Sequence, residues 1–147
     1  MKIYVVDASV ASRFVLVEEL SDKAVLVLND FLSGAVDLKA PGLVVYEVGN
    51  TLWKAVKQRF IDVGEAIQKF SFFLELKIGS INFGGETHRK ILEWGAENEA
   101  TYYDSAYVIS SKITGATLLT ADNILYEKAQ GEVPTLHLKD YRSMSEK

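Results

Sequence analysis

The stretch Lys2-Ile3-Tyr4-Val5-Val6-Asp7-Ala8-Ser9-Val10 decides the fold. A short apolar run rich in β-branched and aromatic side chains meets an acid at Asp7, and helix-compatible residues follow from Ala8 to Val15. A strand that ends on an acid and feeds a helix is how an α/β domain opens. The same alternation continues outward. Ser21 to Leu32 carries Ala24, Val25, Leu28 and Leu32 at helical spacing, begins on a Ser suited to capping and stops before Gly34. Asp37 to Ala40, just ahead of Pro41, reads as a brief strand.

From Leu43 to Phe60 the residues Val44, Val45, Val48, Leu52, Ala55 and Val56 recur as one apolar stripe, with Glu47, Thr51, Lys54 and Gln58 on a polar stripe beside it. Asp62-Val63-Gly64-Glu65 is an acidic capping box that opens a helix, whose Ala66, Ile67, Phe70, Phe73 and Leu74 are expected to face the core. Ile78 to Phe83 reads as a strand broken by Gly84-Gly85. Glu86 to Asn98 and Thr101 to Thr114 read as helices, the second ending at Gly115. Ala116 to Thr120 is a strand, Asp122 to Gln130 a helix, and Thr135 to Leu138 a last short strand. Strands alternating with helices predict a three-layer α/β/α sandwich around a mostly parallel sheet. No repeat and no linker divides the chain, so residues 1–147 are expected to form a single domain.

Composition agrees. A chain of 147 residues with 48% hydrophobic and 24% charged residues is long enough to bury its own core. Order is expected throughout, except at the polar end Ser143 to Lys147. Cys is absent, which removes disulfides, thiolate metal sites and cysteine nucleophiles. The first apolar run is too short for a signal-peptide core, and no stretch approaches the roughly 20 apolar residues of a membrane span. A cytoplasmic location is the expectation. With 16 Lys plus Arg against 20 Asp plus Glu, the net charge is -4, so contact with nucleic acid must be local rather than a coating by charge.

In an open α/β sheet, ligands bind beyond the carboxyl ends of the strands. Asp7 ends the first strand and Asp122 closely follows the strand Thr117-Leu118-Leu119-Thr120, so neighbouring parallel strands would bring both acids to one edge. Asp104 lies near the start of its helix, facing away from the stripe of Tyr102, Ala106, Ile109 and Ile113, and Glu47 lies early in its own. Each has an ordinary alternative: Asp7 and Asp122 as N-caps, Asp104 completing a capping box with Thr101, Glu47 as a solvated charge. Only as a set do they point to chemistry. Four carboxylates in one crevice repel by roughly 4 kcal/mol per pair at about 4 Å and an effective dielectric of about 20, which calls for a cation. Oxygen-only ligands favour Mg²⁺ or Mn²⁺, and neither His88 nor His137 has a zinc-type spacing; both are expected on the surface or a helix face.

Four blocks carry a family resemblance: Val5-Val6-Asp7-Ala8-Ser9-Val10, Glu47-Val48-Gly49-Asn50-Thr51-Leu52-Trp53-Lys54, Tyr103-Asp104-Ser105-Ala106-Tyr107 and Leu119-Thr120-Ala121-Asp122. Together, in this order and spacing, they resemble the signature blocks of the PIN domain, and its VapC toxin branch best, over nearly the whole chain. The resemblance implies a parallel-sheet α/β/α fold, Mg²⁺ or Mn²⁺ dependence and endoribonuclease activity. It makes Asp7, Glu47, Asp104 and Asp122 the catalytic, metal-binding acids and gives Thr120 a role in orienting them. It also implies a homodimer and inhibition by a small VapB-type antitoxin.

A metal ion provides both an acidified water and charge neutralisation, so phosphodiester hydrolysis needs no protein nucleophile. Arg13, Lys54, Lys57 and Arg59 are candidates to hold an RNA backbone, and Tyr103, Tyr107 and Trp53 to stack on bases. Trp53 and Tyr46 lie opposite the apolar stripe of the Glu47 helix, which leaves that helix a second apolar face for a partner. A haloacid-type phosphatase would need an acid where Ser9 stands, and a receiver an acidic pair before its acceptor strand. Neither G-x-x-x-x-G-K-[ST] nor G-x-G-x-x-G is present. An RNase of RNA processing or quality control and a non-cleaving RNA- or partner-binding PIN domain are the remaining alternatives, the latter disfavoured by the complete set of acids.

Overall fold

The computed structural model describes residues 1–144 and contains a five-stranded sheet flanked by helices. The strands are β1 (Lys2–Val6), β2 (Val36–Pro41), β3 (Gly79–Ile81), β4 (Thr117–Thr120) and β5 (Thr135–His137). The helices are α1 (Ala8–Ser12), α2 (Ser21–Leu32), α3 (Leu43–Lys57), α4 (Val63–Glu75), α5 (Gly85–Asn98), α6 (Tyr102–Thr114) and α7 (Asn123–Ala129). Every pairing is parallel, in the order β3-β2-β1-β4-β5. The chain steps outward from β1 to β2 and β3, then returns to place β4 on the other side of β1 and ends at β5, with a helix between every pair of successive strands. The three-layer sandwich expected from the alternation is therefore present. α6 lies across β1, β2 and β4, with α5 packed on it.

Val5 and Val6 of β1 and Leu118 and Leu119 of β4 are completely buried, since layers cover both faces of the central strands. This is why these strands read as continuous apolar runs instead of alternating ones. Asp62 caps α4 by accepting the Glu65 N–H at 2.8 Å, and Thr101 caps α6 by accepting that of Asp104 at 3.0 Å. α5 and α6 meet so closely at Gly95 that a Cβ there would lie 2.7 Å from Ser105 Oγ and 2.9 Å from the Ala100 carbonyl. Glycine at this position fixes the approach of α5 to the first turn of α6, which carries Asp104.

Several local expectations need correction. α1 ends at Ser12, short of Val15. The N-cap of α2 is Leu20 in a left-handed conformation (φ 69°), while Ser21 Oγ accepts the Glu18 N–H at 2.7 Å. α2 buries Ala24, Val27 and Asp30, leaving Val25 and Leu32 exposed. α3 stops at Lys57, and the chain turns at Arg59 with φ 63° before Phe60. α4 turns Ala66 and Phe73 inward but Ile67 and Leu74 outward. His137 is buried at the end of β5, where Nδ1 accepts the Lys139 N–H at 3.1 Å and Nε2 bonds Asn123 Oδ1 at 2.8 Å. At the C-terminus, Ser143 and Met144 are held by Asp30, contrary to a loose end from Ser143 onward; the rest of that segment, 145–147, lies outside the described residues. Among the described residues, no helix is long and apolar enough to cross a membrane.

Candidate functional site

The reversal of strand order falls between β1 and β4, and the register pairs Val6 with Leu119. Asp7 and Thr120 thus leave the sheet side by side. Thr120 Oγ1 donates to Asp7 Oδ2 at 2.6 Å, and Ser9 Oγ donates to Asp7 Oδ1 at 2.6 Å. The same two hydroxyl oxygens accept backbone N–H groups beyond β4, Thr120 from Asp122 at 3.0 Å and Ser9 from Ala121 at 2.8 Å. Two hydroxyls therefore tie the ends of both strands together around one carboxylate. Asp7 also caps α1 through the Val10 N–H at 3.2 Å, and Asp122 caps α7 with Oδ1 accepting from Ile124 and Leu125 at 2.8 and 3.0 Å. Capping and membership of an acidic edge coexist at both positions.

Glu47 is half-buried on the polar stripe of α3, where its Oε1 accepts the Tyr107 hydroxyl at 2.6 Å. Tyr107 is buried on α6, so it is unavailable for stacking on a base. Asp104, in the first turn of α6, receives no hydrogen bond on its carboxylate among the described residues. The Thr101 cap bonds its backbone alone, so the capping-box alternative does not occupy its side chain.

Electrostatics link the four. Burial pushes Asp7 up to about 6 against the pull of its donors Ser9, Thr120 and the Val10 N–H, and Asp104 adds to the rise. Burial also raises Glu47, with Tyr107 opposing and Asp104 adding. Asp104 is raised by burial and then by Asp122, with Lys128 opposing. Burial, followed by the bond to Glu47 and by nearby carboxylates, drives the Tyr107 phenol far above its ordinary range, which keeps it a donor. Asp104 is the hub through which the other three acids are coupled. Among the described residues, no three His, Cys, Asp or Glu side chains are gathered tightly enough to hold a metal ion as they stand.

Around the acids, the cations divide. Arg13 donates to the carbonyls of Ser9 at 2.6 Å and Glu19 at 2.7 Å, so its guanidinium braces its own loop. Lys57 lies over the Trp53 ring, 5.1 Å from the centroid, whereas Lys54 stands beside Glu47 in a cleft. Sequence reading missed Ser9, Lys128 and the positioning part of Tyr107. Ser9 carried a readable signal, a hydroxyl two residues past a strand-end acid; Lys128, on α7 and bonded to the Glu99 carbonyl just ahead of α6, acts on Asp104 through space and leaves no local signature.

Fold and edge together define a parallel α/β domain with acids at its topological switch point. No family model matches the chain. It is 33% identical over 128 residues to Ribonuclease VapC3 of Pyrobaculum aerophilum, across 84% of this chain and 92% of that protein. Exonuclease VapC9 of the same organism is 27% identical over 95 residues, across 62% and 66% of the two chains. The crystal structure of PAE2754 from Pyrobaculum aerophilum superposes with a TM-score of 0.70 at 22% identity, covering 94% of this chain and 92% of that one. FitAcB from Neisseria gonorrhoeae has the same fold at a TM-score of 0.61 and 15% identity, covering 94% and 99%. The chain belongs to the VapC family of PIN-domain ribonucleases.

Proposed function

We propose that this chain is a divalent-metal-dependent endoribonuclease and the toxin of a VapBC-type pair, with Asp7, Glu47, Asp104 and Asp122 holding Mg²⁺ or Mn²⁺. The observation that carries this reading is the Asp104 carboxylate, coupled to the three other acids and bonded to no donor among the described residues. An oxygen-only donor set, three of whose members (Asp7, Glu47 and Asp104) have raised proton affinity, fits a hard cation, which would relieve the repulsion. When bound, the ion supplies neutralisation of phosphate oxygens and a more acidic water.

The protein's own part is orientation. Ser9 and Thr120 hold both oxygens of Asp7, Tyr107 holds Glu47, and the N-terminus of α7 holds Asp122. Asp104, free of donors among the described residues, is the acid able to adjust as RNA arrives. Residues 1–147 act in this reading as a single PIN domain in the cytoplasm. An apolar groove of about 230 Å³ between α3 and α4, bordered by Trp53, Val56, Val63, Ile67 and Phe70, supports a partner. A VapB-type antitoxin would lay the apolar face of a helix there. A homodimer completes the reading, checked by sedimentation of the purified chain.

The test is incubation of the purified protein with single-stranded and structured RNAs in Mg²⁺, Mn²⁺ or a chelator, beside Asp7→Asn and Asp104→Asn. Cleavage is expected with either ion and lost with the chelator or either substitution. Cleavage that survives chelation or both substitutions overturns the mechanism.

A further inference from the structure

We propose that the cleft beside Glu47 takes one unpaired RNA base adjoining the scissile phosphate, stacked on Tyr103 and Tyr46, with Lys54 meeting the neighbouring backbone phosphate. The proposal rests on the nuclease reading and adds the feature of the substrate that the site selects. The cleft measures about 490 Å³, and its walls include Ala8, Tyr46, Glu47, Asn50, Lys54 and Tyr103. It therefore opens onto the acidic edge, with Glu47 in one wall and the residue after Asp7 in another.

Both tyrosines stand immediately before an acid of the site, as Tyr46-Glu47 on α3 and Tyr103-Asp104 on α6. Successive residues of a helix point about 100° apart, so a helix that turns its acid toward the sheet edge presents the preceding ring to the adjoining surface. Tyr46 is 81% exposed and Tyr103 60% exposed. One exposed tyrosine is ordinary, but two on the walls of one cleft beside the acids form a platform.

Tyr103 is also braced from behind. Its ring meets Tyr102 edge-on at 6.4 Å, Tyr102 stacks on His88 at 6.2 Å and is hydrogen-bonded to it, and His88 meets Phe83 edge-on at 5.5 Å. Three rings thus stand in line behind the exposed Tyr103, reducing the ordering cost of stacking on it.

Charge points the same way. The chain carries a net charge of -4 and its site is acidic, so long-range attraction to RNA is weak. Stacking is the sequence-tolerant alternative source of affinity, and Lys54 is the cation placed in the same wall. The Asn50 side-chain amide offers a donor and an acceptor to the edge of the seated base. Paired bases are held inside a duplex and could not enter, so the site selects single-stranded segments, loops and ends.

The probe is an adenosine octaribonucleotide with one central 2-aminopurine, whose fluorescence is quenched by stacking, titrated in Mg²⁺ with full-length protein in the Asp104→Asn background. Added Tyr46→Ala or Tyr103→Ala should weaken binding and quenching by about 5- to 150-fold, and Tyr46→Phe or Tyr103→Phe should leave both within about twofold. Ala variants that bind and quench like the parent overturn the proposal. In the active protein, removing the base beside the cleaved phosphate should cost as much as Tyr103→Ala costs on intact RNA, and the two losses should not add. Additive losses contradict a shared base site. If the stacking losses appear but no RNA is cleaved, the nuclease reading falls and the cleft stands. If RNA is cleaved and the Ala variants are indifferent, the cleft falls and the nuclease stands.

Discussion

Asp7 and Asp30 are both buried aspartates with three hydrogen-bond donors, yet their proton affinities move in opposite directions. Asp30 accepts from the Tyr141 hydroxyl at 2.6 Å, Ser143 Oγ at 2.8 Å and the Met144 N–H at 2.8 Å. Burial pushes it up, but these donors together outweigh burial and its pKa falls. Asp7 has donors as close, at 2.6 Å from Ser9 and from Thr120, and still rises to about 6. Deeper desolvation and the charge of Asp104 separate the two. Asp30 is a clamp that fastens the C-terminal segment to α2; Asp7 is held in one orientation while its charge is left uncompensated, which suits a site that receives a cation.

The largest way to break this contrast is through activity. Asp104→Asn should lower RNA cleavage by about 10²- to 10³-fold in a kinetic assay, whereas Asp30→Asn, if folded, should stay within a few-fold. Stability should rank the opposite way. Asp30→Ala leaves the buried Tyr141 hydroxyl without its acceptor and should cost about 3 kcal/mol in urea unfolding. Asp7→Asn in chelator should instead stabilise by about 1–3 kcal/mol at pH 7, since a rise from 3.8 to about 6 penalises the buried charge. Asp7 binds its proton more tightly when folded, so its contribution to stability is full below 3.8 and lost as pH rises through about 6. Asp30, shifted downward, contributes stability above the ordinary aspartate range that is lost as pH falls through its lowered value. The smallest effect is expected for Tyr107→Phe, about 10-fold in cleavage with stability changed by about 1 kcal/mol, because it removes only the donor that orients Glu47.

The sequence was most legible where a local pattern and the tertiary environment agree. β1 has the bounds that its apolar run implies, and the caps at Asp62 and Thr101 lie where the capping pattern predicts. α2 was less legible because Val25-Leu26-Val27-Leu28 is apolar all round, so periodicity could not select the buried face. The C-terminal segment selects it, through bonds to Asp30 from residues more than 110 positions away. Ile67 and Leu74 face outward against expectation for a similar reason, α4 being apolar on two faces. At the site, the strand-end acids Asp7 and Asp122 could be brought to one edge by reasoning about the sheet. Glu47 rested on family resemblance, and its Tyr107 partner lies 60 positions away across the packing of α3 and α6. Contacts set by such packing leave no local signature.

The most direct test of the cation-demanding acidic edge is a calorimetric titration of the purified chain with Mn²⁺ at pH 7, beside Asp104→Asn and Asp30→Asn. Binding is expected in the native chain, undiminished in folded Asp30→Asn, and weakened at least tenfold in Asp104→Asn. Equal Mn²⁺ affinity in Asp104→Asn and the native chain, or no binding to the native chain, would contradict it.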